Sequence, residues 1–152
     1  MNKTFKIVVM VVMAVILVVA VLGYTVYRKQ ATVTAIAEPY VVKVIPEITK
    51  DYDPSVFKSH LAHELLGELT DDKIKSLLDW FQRSLGNLVS IDTPQFVNLT
   101  VHTNTPTSIT YQVSAKFEKG DAVITIMVQL QEKSGDLRIW GFHINSDAFM
   151  NN

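Results

Sequence analysis

The sequence predicts an α+β chain: an N-terminal transmembrane helix, then a cone-shaped domain of about three helices packed on a curved antiparallel sheet of about four strands. Three observations carry this. Residues 7–27 hold no charge. Apolar positions then recur with a helical period as far as Leu85, and after Gly86 the period changes to two. Helices first and a strand meander second is the order of an α+β domain.

The uncharged run is about 21 residues, and at ~1.5 Å per residue a helix of that length spans one ~30 Å hydrocarbon core. It is longer than a signal-peptide core, and Ala35-Ile36-Ala37, the one Ala-x-Ala triplet, lies too far beyond it for cleavage. The expectation is therefore an uncleaved anchor running through Ile7, Leu17 and Leu22, with Tyr24 and Tyr27 at the outer interface. Residues 1–29 form a short cytoplasmic tail and anchor, 30–37 a tether, and 38–152 an exported domain. That geometry places the chain in a bacterial inner membrane, single-pass, with its C-terminal domain in the periplasm and lipid as one partner.

Fourteen basic residues stand against fifteen acidic ones. Four of the basic residues precede residue 30 and none of the acidic ones does, so the remainder carries ten against fifteen, a net −5. An acidic domain is a poor match for nucleic acid. Zero cysteines exclude a disulfide framework and any thiolate metal site.

Tyr40, Val41, Val44, Ile45 and Ile48 make one helical stripe despite Pro39 and Pro46. Asp53-Pro54 reads as an N-cap and first helical position, opening a helix whose apolar side is Phe57, Leu61, Ala62, Leu65, Leu66 and Leu69. Thr70-Asp71-Asp72 opens the next, with Ile74, Leu77, Leu78, Phe81 and Leu85 as its stripe and Gly86 as its stop. Residues 88–91 and 96–102 are candidate strands, and 104–108 a loop. Tyr111, Val113, Ala115 and Phe117 alternate with polar residues. Turns at Lys119-Gly120-Asp121 and Ser134-Gly135-Asp136 separate strands over 122–131 and 137–144.

The last two strands are apolar on both faces. Val123 and Met127 oppose the Ile124 row, and Trp140, Phe142 and Ile144 oppose Leu137 and Ile139. Such a sheet asks for a cover. A second copy, a partner or the C-terminal tail would serve, and Val123, Met127, Trp140 and Phe142 are the expected interface.

Helices before a curved meander, the junction Leu85-Gly86-Asn87-Leu88 and the ending from Gly135 to Ser146 together resemble the nuclear transport factor 2-like (cystatin-like) superfamily. Small exported bacterial domains are the nearest likeness. The resemblance covers residues 38–146 and implies a cone that can hold a small ligand and dimerisation through the sheet. It also implies either isomerase or dehydratase chemistry or, as in periplasmic scaffold subunits of type IV secretion systems, none. Relatives often carry Trp after the final turn, where this chain has Leu137.

His60 and His63 at i, i+3 could share a metal, but neither zinc-peptidase order is present, and a solvated helix face is the expected placement. His143, on the face of Leu137 and Ile139, is expected to point inward, where it or Tyr111 could transfer protons. No acid partner is visible for either, and no cofactor is expected. Asp79 reads as solvated and Trp80 as packing. The favoured function is a membrane-anchored, non-enzymatic interaction or assembly domain that dimerises or docks an envelope membrane protein through its sheet. The alternative is a small-ligand or proton-transfer site inside the cone.

Overall fold

The structure is a computed structural model that describes residues 3–101, 106–131 and 134–151, with side chains from residue 11 onward except 25, 26, 29, 30, 32 and 151. Two compact units divide the chain, Met1–Ala35 and Ile36–Asn152, so the break falls inside the segment read as a tether. That segment is helical, because α1 runs Lys3–Asp51 and contains both Pro39 and Pro46. Each proline removes one backbone hydrogen bond. The carbonyls freed four residues earlier, at Ala35 and Val42, belong to exposed residues and can bond water instead.

The membrane expectations are corrected here. Among the described residues no helix is long and apolar enough to cross a membrane. The transmembrane helix, the single-pass inner-membrane location and the anchoring role of Leu17, Leu22, Tyr24 and Tyr27 all rested on such a span. The side chain of Ile7 lies outside the described residues.

In the second unit Val41, Val44, Ile45 and Ile48 are fully buried, the stripe their spacing requires. Thr49, buried beside them, returns its hydroxyl to the Ile45 carbonyl at 2.8 Å. Helix α2 (Pro54–His60) is capped by the Asp53 carboxylate, which accepts from Ser55 N–H. The helix expected to continue to Leu69 breaks instead at Leu61 and Ala62, both extended. Leu61 forms a parallel bridge with Ile139, and Ala62 N–H donates to the Ile139 carbonyl at 2.8 Å. Strand pairing and burial of both side chains thus replace a helical turn, and α3 (His63–Glu68) starts anew on the surface. Helix α4 (Asp71–Leu85) begins at Thr70, whose hydroxyl accepts from Lys73 N–H, and ends at Gly86.

The sheet contains β1 (Leu88–Ile91), β2 (Gln95–Thr100), β3 (Ser108–Phe117), β4 (Gly120–Leu130) and β5 (Leu137–Asn145). Its order is β1-β3-β4-β5, all antiparallel, and β2 also pairs with β3. β1 lies along residues 115–117 and β2 along 108–112, so the two form one interrupted edge with buried Pro94 in the gap. His102 and Asn104, expected at a strand end and in the following loop, lie outside the described residues. A 3-10 helix, η1 (Asp147–Asn151), closes the chain. There Phe149 stacks on Trp80 at 4.3 Å, and the Ser146 hydroxyl donates to the Asp121 carbonyl. The tail therefore packs beside α4.

Candidate functional site: the uncovered sheet face

The pairing of β4 with β5 decides which side chains share a face. Ile124, Ile126 and Val128 are buried toward the helices, while Val123, Thr125 and Met127 face away. Ile126 stands opposite Phe142, Thr125 opposite His143 and Met127 opposite Gly141, yet Val128 stands opposite Ile139. Trp140 is the extra residue of a β-bulge.

One extra residue reverses the alternation beyond it. Phe142, expected on the outer face, therefore turns inward and meets Phe57 edge-on at 5.9 Å. His143, expected inside, is exposed on the outer face. Both corrections have this single cause. The outer patch is then Trp140 and Met127, 38% and 36% exposed, with half-buried Val123 along the same strand. The Met127 side chain lies over Gly141, where a Cβ would stand in the place of its flexible Cε end.

The hairpin end of this face is polar. Ser90, Ser114, Lys116, Asp121, Asn145 and Asp147, with Asp92 and Val123, line a surface groove of about 530 Å³. Three carboxylates and one ammonium share it.

The side chains between sheet and helices are apolar and buried. Tyr111, Phe117, Ile45, Leu78 and Ile124 are among the fully buried side chains. Among the described residues no buried side-chain nitrogen or oxygen lacks a hydrogen-bond partner. Burial raises the Tyr111 phenol, and the Glu38 carboxylate adds to the rise. Tyr111 and His143 stand on opposite faces of the sheet, so they cannot act as a pair.

A polar cluster does form at the joint of α1 and α2. His60 Nε2 lies 3.1 Å from the Glu47 carboxylate, and Nδ1 lies 3.2 Å from the Tyr40 hydroxyl. A carboxylate only accepts, so in the neutral ring Nε2 carries the hydrogen and Tyr40 O–H donates to Nδ1. Burial pushes the Tyr40 phenol up to about 12; the Arg138 guanidinium opposes the rise and Glu47 adds to it. A phenol held in that range keeps its proton at neutral pH, so this chain of hydrogen bonds ties α2 to α1 and generates no nucleophile.

His63 sits beyond the helix break, exposed at the start of α3, so the i, i+3 spacing that would let it share a metal with His60 no longer applies. Among the described residues no group of three or more His, Asp or Glu side chains is placed to hold a metal. Asp79 pairs with Lys75 at 2.6 Å on the exposed side of α4.

Sequence reasoning missed the Glu47–His60–Tyr40 cluster, whose members are 13 and 20 residues apart and share no motif. It also missed the groove, since Asp121 read as a hairpin-turn residue and nothing in the sequence links it to Asp92 or Asp147. Compared with protein-family models, with curated proteins and with solved structures, the chain matches none.

Proposed function

We propose that the unit Ile36–Asn152 is a non-enzymatic interaction domain that docks a protein partner through the outer face of its sheet. The observation that carries this reading is the patch at the bulge. Two large apolar side chains, Trp140 and Met127, stand more than a third exposed on a face that the C-terminal tail leaves open. The largely apolar set of buried side chains supports docking over a small-ligand or proton-transfer site inside the cone, which would need convergent polar groups. Likeness to the nuclear transport factor 2-like superfamily is part of the same proposal, supported by the order of helices before a meander.

The test is site-specific cross-linking in the full chain. A photoreactive amino acid at position 140 should yield a discrete adduct in cells, while the same group at exposed position 64 on α3 should not. Equal yields from the two positions, or none from 140, would refute docking through this face.

A further inference from the structure

We infer that the partner is a basic, extended segment that seats an apolar side chain on Trp140 and Met127 and lays Lys or Arg into the adjoining groove; this rests on the docking reading above. The face has two chemistries at a fixed separation. Its apolar end is Met127 with Trp140. Its polar end is the groove, where Asp92, Asp121 and Asp147 outnumber Lys116. Val123 joins the two, because it lines the groove and lies on the same side of β4 as Met127, four residues or about 13 Å away.

Charge selects among occupants. The chain beyond residue 30 carries ten basic residues against fifteen acidic ones. A second copy seated here would bring like-charged surfaces together, whereas a basic segment is drawn in and steered. Nucleic acid is disfavoured by the same field. Ser90, Ser114 and Asn145, each on a different strand, line the groove. Short hydroxyl and amide side chains of that kind can bond the main chain of a segment lying across them. In an extended segment, residues i and i+4 share a face and are ~13 Å apart. The partner's signature is thus an aromatic or aliphatic residue with Lys or Arg four positions away.

The test uses the full chain and two labelled, end-blocked hexapeptides, Phe-Ser-Gly-Ser-Lys-Lys and Phe-Ser-Gly-Ser-Glu-Glu, followed by fluorescence anisotropy. The basic peptide should bind at least tenfold tighter, and its affinity should fall with added salt. Asp92→Asn and Asp121→Asn should each weaken it by roughly two- to fivefold, and Trp140→Ser should weaken it further. Salt dependence on the unaltered chain keeps the test decisive if a variant misfolds.

Equal binding of the two peptides overturns the charge inference and leaves docking standing. So does an adduct of doubled mass from position 140, which would make a second copy the occupant. Binding of neither peptide up to millimolar concentration overturns the inference. If position 140 also gives no cross-link, docking through this face falls with it.

Discussion

Gly86→Ala is the sharpest probe of how the helices meet the sheet. Gly86 ends α4 at φ 71°, ψ −157°, a region open almost only to glycine, and holding a Cβ-bearing residue there costs about 1–3 kcal/mol. The new Cβ would also stand 2.6 Å from Oε2 and 3.0 Å from Cβ of Glu118. That carboxylate accepts from the Asn87 backbone N–H at 2.9 Å and the Asn87 side-chain amide at 3.1 Å. These two bonds hold it below the usual carboxylate range. Displacing it adds to the strain in the same direction. At ~4 °C per kcal/mol for a domain of this size, the backbone strain alone lowers Tm by about 4–12 °C. Thermal melts followed by circular dichroism read the shift, with Gly67→Ala as the control. Gly67 sits in α3 with open space around it, so alanine there should stabilise by up to ~1 kcal/mol. A Gly86→Ala protein within ~0.5 kcal/mol of the parent would refute the argument.

Three further outcomes are expected. Tyr52, 4% exposed and donating to the Gly86 carbonyl at 2.7 Å, has its phenol raised from 10.0 to about 12 by burial and then by Glu118. Its stabilising contribution is complete below pH 10 and is lost as pH rises from 10 to about 12, on the order of 2–3 kcal/mol in all. Alkaline denaturation should therefore be shallower in Tyr52→Phe, and an unchanged profile would contradict this. A double-mutant cycle of His60→Ala with Glu47→Ala should show a coupling of only ~0.5–1 kcal/mol by urea unfolding, because the Glu47 side chain is 39% exposed. Finally, a fragment of residues 36–152 should unfold cooperatively with a Tm within a few degrees of the full chain, since among the described residues every buried apolar one but Val33 lies inside it; a non-cooperative melt would argue otherwise.

Local chemistry made some elements readable and left others hidden. The bounds of helix α4 were legible to the residue, because Thr70 and Gly86 mark its ends, and Ile74, Leu78, Phe81 and Leu85 of its stripe are buried while Leu77 is exposed. The alternation of β3 was equally clear, as every inward position from Ile109 to Phe117 is buried. The break at Leu61 and Ala62 was not legible, since the apolar spacing runs straight through it and the cause is a partner 78 residues away in sequence, Ile139. The bulge at Trp140 was hidden by a strand apolar on both faces, where a shift of one residue leaves the pattern equally plausible. Gly141, a glycine inside a strand, was the available signal. Reading it would have placed Phe142 and His143 on their observed sides. The apolar run before Arg28 dominated the reading of location. Among the described residues, no helix combines the length and the apolarity that a crossing needs.

The extended pair Leu61–Ala62 also bears on how the sheet can grow. By bridging Ile139 and donating to its carbonyl, it takes up the pairing groups of the β5 border at that residue. A strand arriving along this border would have to displace that contact before it could pair there, so the break in the helix also guards the start of the last strand.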